Sequence, residues 1–267
     1  TNILDTYLRE WEEKYESPER ENPSLSQRFR SVIRSAKQKT GRNVVVLVDE
    51  YDKPMLQAIG NEELQTEFRN ALKAFYGVLK SADGDLRFAM LTGVTKFSKV
   101  SVFSDLNNLN DISMDNRYTE ICGISEKELH QYFNEDIQKM ADKDGVTYED
   151  MSERLRQNYD GYHFAPNTAG MYNPFSILNV LSRLQFGSYW FETGTPTYLV
   201  ELLQKNDYAL AEMDNIIVGF ETLSGIDAAD TDAIPVIFQS GYLTIKDFDS
   251  RFQSYTLGYP NKEVEIG

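Results

Sequence analysis

The sequence predicts a mixed α/β fold in which a parallel sheet with flanking helices is followed by a helical module that ends in a β-hairpin. Aliphatic runs at about 43–48 and 86–91 are separated by an amphipathic stretch of helical period at about 62–80. A strand, a long helix and a strand in this order form a βαβ unit, whose parallel sheet is buried on both faces. Beyond about residue 160, helix signals lead into two short β-type runs.

Two helices are predicted before the first strand in the sequence. Apolar residues at i, i+4 spacing over residues 3–11 indicate an opening helix, which ends before Pro18. Ser24 is placed to cap a second helix, and Gly41 is placed to end it. After the long helix, the turn signal Asp83-Gly84 leads into the second strand.

The middle of the chain is predicted to contain one short strand and two helices. Residues 118–121 form a short β-type run. Ser125 and Glu128 have the spacing of a capping box, in which each side chain bonds a free backbone N–H of a helix start. A further helix is expected at about 148–158.

The last hundred residues are predicted to form a winged-helix-like module. Asn173 and Thr195 each precede a proline at the first position of a predicted helix. These helices are expected to end near residues 186 and 206. One more helix, followed by a β-hairpin, completes the pattern, with bounds of about 231–240, 242–246 and 252–257.

Composition limits the class of protein. Of 267 residues, 41% are hydrophobic, which is enough for packed cores, and the net charge of −15 disfavours broad binding of nucleic-acid phosphates. One cysteine and two histidines are too few for a disulfide framework or a structural zinc site. With no run of about 18 apolar residues and no signal peptide, we expect a cytoplasmic protein without a membrane partner. The chain starts at Thr1 and stops at Gly267 without a closing signal, so we expect a fragment, with domains at 1–160 and 161–267.

Three carboxylates follow the first strand directly. Asp49, Glu50 and Asp52 come after the run VVVLV, and Thr92 follows the second strand. The carboxyl ends of parallel strands form the ligand edge of an open α/β sheet, so Asp49 and Thr92 are expected side by side. P-loop NTPases place an Asp-Glu pair in this position, where the Asp holds Mg²⁺ and the Glu polarises the attacking water. The alternative is that the carboxylates only solvate the strand end or cap the next turn.

Several ordered motifs resemble the bacterial predicted AAA-ATPase-like family. They are VVVLVDEYDKP, FAMLTGVTKFSKVSVFSDLNNLNDIS, YTEICGISEKEL, NYDGYHF and YNPFSILN. The resemblance implies a partial P-loop NTPase sheet in which Asp49 and Glu50 are the Walker B pair. Asp49 is then the Mg²⁺ ligand, and Glu50 and the sensor-like Thr92 are the catalytic candidates. It also implies that the intact protein binds and hydrolyses ATP.

Two further residues are candidates for nucleotide binding. Asp52 belongs to the DEYD motif, and His163 belongs to YDGYHF, where the alternative is packing among aromatic side chains. Members of the family are often fused to a PD-(D/E)XK nuclease-like domain, and the final LGYPNKEVEIG resembles the junction to it. Expected partners are nucleotide in the intact protein and, as open alternatives, a second copy of the chain and DNA through the absent nuclease-like domain.

One motif of P-loop NTPases is missing. The sequence contains no Gly-Lys-Ser/Thr triplet, so no Walker A loop cradles the phosphates, and the fragment itself is expected to be inactive as an ATPase. In AAA-like cores the P-loop strand lies between the sensor strand and the strand after it. Residues 118–121, the latter strand here, are therefore expected to be displaced, irregular or held by another chain.

Two other functions stay open at this stage. The chain could be a non-catalytic winged-helix module for interaction or nucleic-acid binding, although its acidic charge disfavours DNA. It could also belong to a nuclease of the PD-(D/E)XK type, with Asp52 and Glu62 imitating the motif. No Glu-X-Lys follows a strand correctly for that reading.

Overall fold

The computed structural model describes residues 2–18, 23–58, 60–96, 103, 106, 108–193, 200, 203, 213–225 and 233–267. The chain forms two compact units, the first mainly Thr1–Leu109 and the second Asn110–Ser224 with Thr231–Gly267. The boundary expected near residue 160 falls inside the second unit. Within the described residues, no helix combines the length and the apolar character needed to cross a membrane.

The described part of the first unit consists of helices on two strands. Its elements are α1 (Asn2–Tyr15), α2 (Leu25–Thr40), β1 (Val44–Val48), α3 (Lys53–Gln57), α4 (Glu62–Ser81) and β2 (Leu86–Leu91). Apart from the short helix α3, each was predicted. Ser24 caps α2 in a capping box with Gln27, and Gly41 ends it in the left-handed conformation at φ 68°.

The two strands are parallel neighbours, as predicted, but the described residues cover only one face of the sheet. Val45 pairs with Phe88, and Leu47 pairs with Met90. Val46, which points to the helical side, is 9% exposed, whereas Val45, Leu47 and Phe88 are 51%, 71% and 52% exposed. A sheet buried on both faces stays a prediction.

The second unit combines a helical core with a small antiparallel sheet. Its elements are α5 (Glu126–Tyr132), α6 (Asn134–Asp144), α7 (Tyr148–Tyr159), α8 (Pro174–Arg183), β3 (Ile216–Gly219), α9 (Phe220–Ser224), α10 (Ile234–Gln239), β4 (Thr244–Asp249), β5 (Ser254–Gly258) and α11 (Lys262–Ile266). The sheet has the strand order β3-β5-β4. Helices α5 to α8 share one core, which includes Leu129, Ile137, Met151, Leu155 and Ile177.

Local signals in the second unit were largely confirmed. Ser125 and Glu128 form the expected capping box of α5, and Asn173 caps α8, which ends at Arg183. The predicted hairpin corresponds to β4 and β5, which β3 joins as an unpredicted third strand. Of the helix predicted from Thr195 to about 206, the structure describes only residues 200 and 203, which are both helical.

The segment 118–121 is not a strand. A short 3-10 helix covers Asn116–Tyr118, and turn residues follow it. The prediction of a strand is therefore wrong, and the expectation of an irregular segment is confirmed. Cys122, which follows this run directly, is exposed. Residues 118–121 form no strand because a short β-type run without a neighbouring strand cannot satisfy its backbone N–H and C=O groups in a ladder.

Candidate functional site at the ends of the parallel strands

Asp49 and Thr92 lie side by side at the carboxyl ends of β1 and β2, as predicted. The hydroxyl Oγ1 of Thr92 donates to Oδ1 of Asp49 over 2.6 Å, and the backbone N–H of Glu50 donates to the same oxygen over 3.0 Å. The N–H of Thr92 donates to the carbonyl of Val48 over 2.8 Å, which extends the strand pairing to the site. No described residue donates to Oδ2 of Asp49, so this oxygen is the one placed to meet a bound water or a metal ion.

Glu50 occupies an exposed turn beside Asp49. Its backbone has φ 52°, in the left-handed region, and its Oε2 accepts a hydrogen bond from Nζ of Lys53 over 2.7 Å. The pKa of Lys53 is raised, first by this hydrogen bond and the charge of Glu50, and less by Asp49. Sequence reasoning did not single out Lys53, although its i, i+3 spacing from Glu50 was visible.

Asp52 differs from the other two carboxylates because it is buried, with 1% of its surface exposed. Its Oδ2 accepts from the N–H and the hydroxyl of Thr95 over 2.6 and 2.8 Å, and its Oδ1 accepts from the N–H of Val94 over 3.3 Å. Burial and the nearby charge of Asp52 raise the pKa of Tyr76 to about 12. Both oxygens of Asp52 are thus engaged by protein donors, and its role in nucleotide binding stays a prediction.

The loop after β2 packs directly on the turn after β1. The N–H of Tyr51 donates to the carbonyl of Thr92 over 3.0 Å, and the hydroxyl of Tyr51 donates to the carbonyl of Thr95 over 3.0 Å. A Cβ atom on Gly93 would lie 2.4 Å from Oδ1 of Asp52, so only glycine fits there. Gly93 and Thr95 were not predicted as site residues, and the only signal for them was the sequence LTGVT after the strand.

His163 belongs to the second unit, where its ring is held by a local turn. Nδ1 donates to the carbonyl of Thr168 over 2.8 Å, and the backbone N–H of His163 donates to the hydroxyl of Thr244 over 2.7 Å. A carbonyl can only accept, so this contact places a proton on Nδ1. The predicted sensor role of His163 stays a prediction. The polar loop Ser101–Asp111, where contact with nucleotide or another subunit was a weaker alternative to a solvated loop, is described only in part, because residues 101, 102, 104, 105 and 107 lie outside the described residues.

Asp49 was predicted to bind Mg²⁺. Among the residues that the structure describes, no group of three or more His, Cys, Asp or Glu side chains is arranged to hold a metal ion. Mg²⁺ is commonly bound by one or two carboxylates, with phosphate oxygens and waters as the other ligands. The role of Asp49 as a Mg²⁺ ligand stays a prediction.

One pocket of the first unit lies away from this site. It is lined by Arg34, Lys37, Gln38, Gly41 and Asp85, which precede the strands and so lie at the opposite edge of the sheet. Lys37 is already engaged there, because its Nζ contacts the carbonyl of Gly84 at 2.7 Å and the carboxylate of Asp85 at 3.0 Å. Asp49 and Glu50, at the carboxyl-terminal edge, are both exposed.

Comparison with known proteins supports the class that the motifs indicated. Residues 1–103, which include Asp49, Glu50, Asp52 and Thr92, match the AAA-ATPase-like family model described as "Predicted AAA-ATPase". Residues 1–103 of the chain are thus similar to that family.

A longer protein is similar to nearly all of this chain. The "Uncharacterized protein in vnfD 5'region" of Azotobacter chroococcum mcd 1 is 40% identical over 240 residues, which are 89% of this chain and 44% of that protein. The chain thus spans less than half the length of this relative. No solved structure matches the chain. The fusion to a nuclease-like domain is not supported by these matches and stays a prediction.

Proposed function

We propose that this chain is part of a longer AAA-type ATPase and carries its Walker B pair and its sensor-like residue. The observation that carries this proposal is the 2.6 Å contact between the Thr92 hydroxyl and Asp49 at the ends of neighbouring parallel strands. It lies in the segment that matches the AAA-ATPase-like family. The contact joins two residues that a P-loop NTPase needs at one edge of its sheet.

Each side chain has a distinct role in this proposal. Asp49, oriented by two donors on Oδ1, offers Oδ2 to a water of the Mg²⁺ shell. Glu50 accepts a proton from the attacking water after it exchanges its partner Lys53 for that water. The Lys53 contact is exposed, so water and salt weaken it and the exchange is inexpensive. Mg²⁺ would neutralise the charge that develops on the phosphate oxygens.

The phosphate-binding half of the site is proposed to come from sequence outside this chain. No Gly-Lys-Ser/Thr triplet occurs here. Two features of the sheet support an additional strand and helix. In the described residues β2 pairs with β1 alone, and Val45, Leu47 and Phe88 leave an apolar face exposed. We therefore expect ATP hydrolysis only in a longer protein that includes a Walker A segment.

Residues 161–267 are proposed to form a winged-helix-like module. Helix α10 leads directly into the antiparallel pair β4 and β5, which is the order of helix and wing in such modules. This assignment does not depend on the ATPase assignment, because it rests on different residues.

The test is ATP hydrolysis by the longer protein with Glu50 replaced by glutamine. Glu50→Gln should keep ATP binding and lower turnover by about 10²-fold or more, since the water loses its base while the phosphate contacts are unchanged. Glu13→Gln, an exposed change on α1, is the matched control and should leave turnover unchanged. Equal turnover in Glu50→Gln and wild type would remove Glu50 from the catalytic role.

A further inference from the structure

Asp52 is a buried carboxylate that no described ion pair neutralises. Aspartate is almost never fully buried unless its charge is compensated, because removal from water is costly. Here the compensation consists of three hydrogen-bond donors, and all belong to Val94 and Thr95. The burial of Asp52 is thus tied to one short loop, which directly follows Thr92.

The backbone of Thr92 makes two hydrogen bonds to the segment that precedes Asp52. Its N–H donates to the carbonyl of Val48, and its carbonyl accepts from the N–H of Tyr51. Asp52 then binds the backbone two and three residues further on. These bonds leave Thr92 little freedom, and its hydroxyl points to Oδ1 of Asp49.

Gly93 shows how closely the loop approaches the carboxylate. A Cβ atom there would lie 2.4 Å from Oδ1 and 2.8 Å from Cγ of Asp52. The φ of Gly93 is not in the left-handed region, so a side chain is excluded by space and not by backbone strain. Gly93→Ala is consequently an independent way to push Asp52 and the loop apart.

We infer that Asp52 is a positioning residue, which locks the loop after β2 onto the turn after β1 and so holds the Thr92 hydroxyl on Asp49. This inference rests on the proposed function for its effect on catalysis, but not for its effect on structure. Asp52 itself touches no reacting atom in this scheme. It acts through Thr92, which is 40 residues further along the chain.

The structural effect can be measured in this chain by hydrogen exchange, without any nucleotide. Asp52→Ala removes all three bonds to the loop and should lower protection of the Thr92 amide by at least about 10-fold relative to the amides of α4. Asp52→Asn keeps an oxygen for Thr95 and should have a smaller effect, whereas Gly93→Ala should resemble Asp52→Ala. Asp83→Ala, an exposed aspartate of the same unit, is the control. If Thr92 protection relative to α4 is unchanged in Asp52→Ala and Gly93→Ala, the inference is wrong.

The catalytic effect needs a double-mutant cycle in the longer protein. Asp52→Ala and Thr92→Ala should each lower kcat, about 10-fold or more, with ATP affinity changed by less than about 3-fold. The double variant should be no slower than the slower single variant, because Asp52 acts through Thr92. If the two losses in kcat multiplied in the double variant, the positioning role would be contradicted, because Asp52 would then act independently of Thr92. If the wild-type longer protein hydrolyses no ATP, the proposed function fails, and the exchange experiment still decides the role of Asp52.

Discussion

Glu50 combines a catalytic assignment with a backbone conformation that residues other than glycine rarely adopt. Its φ of 52° brings Cβ close to the following carbonyl, at a cost of about 1–2 kcal/mol. The turn is nevertheless fixed, because the N–H of Glu50 bonds to Asp49 and the N–H of Tyr51 bonds to Thr92. Strain of this kind is often retained where a side chain has a function.

The backbone of Glu50 can be separated from its carboxylate by comparing two substitutions. Glu50→Gly and Glu50→Ala both remove the carboxylate, but only glycine tolerates the positive φ without strain. Glu50→Gly should be more stable than Glu50→Ala by about 1 kcal/mol in urea unfolding of this chain. The same pair at Glu16, which has φ 54°, is the matched control and should differ in the same direction. Equal stability at position 50 would mean that the turn relaxes.

At the scale of elements, a buried carboxylate attaches the last helix, α11. Glu263 is 4% exposed, and it accepts from the hydroxyl of Ser176 over 2.8 Å and from the N–H of Trp190 over 2.9 Å. Burial raises the pKa of Glu263, although these hydrogen bonds oppose the increase. Since the folded pKa lies above the unfolded one, this group favours folding most below its unfolded pKa. That contribution is lost as the pH rises through the folded pKa.

Two substitutions test this attachment. Glu263→Ala leaves the buried hydroxyl of Ser176 without its acceptor and should destabilise the second unit by about 2 kcal/mol. Glu263→Gln keeps an acceptor and loses the charge, so its stability relative to wild type should rise as the pH increases above the ordinary glutamate pKa. Urea unfolding, followed by Trp190 fluorescence with Trp11 replaced by phenylalanine, measures both. If the wild type instead gains stability relative to Glu263→Gln as the pH rises, folding lowers the pKa of Glu263 and the prediction is wrong.

Elements with local signals could be predicted from the sequence, and elements that depend on distant partners could not. Ser24 and Ser125 mark helix starts through bonds within four residues, so their helices were correct. The strand β3 was missed because its partner β5 lies about 40 residues later. Residues 118–121 have β-type composition without a neighbouring strand, so the same rule predicted a strand that does not form.

The candidate site likewise has features that could be predicted from the sequence and features that could not. Asp49 and Thr92 could be paired because both follow aliphatic runs of one βαβ unit, and parallel strands end at the same edge. The burial of Asp52 could not be predicted from the motif DEYD. Its donors belong to Val94 and Thr95, and the approach depends on the missing side chain of Gly93.

At the scale of the whole molecule, the exposed apolar face of the sheet is the surface that the proposed additional strand and helix would cover. Leu47 is 71% exposed in this chain, so Leu47→Lys should change its stability by less than about 0.5 kcal/mol. In the longer protein, the same change should destabilise by about 2 kcal/mol or more, because a charge would be buried against the added helix. Thermal or urea unfolding of both proteins measures the difference, and Tyr132→Lys, at a 67% exposed residue of the second unit, is the control. Small effects in both proteins would mean that no segment covers this face.

The central claim is that Asp49 is the Mg²⁺ side of a nucleotide site, and Mg²⁺-dependent ATP binding to the longer protein tests it most directly. Equilibrium binding of ATP should be tighter with Mg²⁺ than with EDTA in the wild type and in the control Asp83→Asn. In Asp49→Asn, the enhancement by Mg²⁺ should fall by about 10-fold or more, since the carboxylate that orients the water shell is lost. An Asp49→Asn protein that binds MgATP as the wild type does, or a wild type that binds no ATP, would contradict the account.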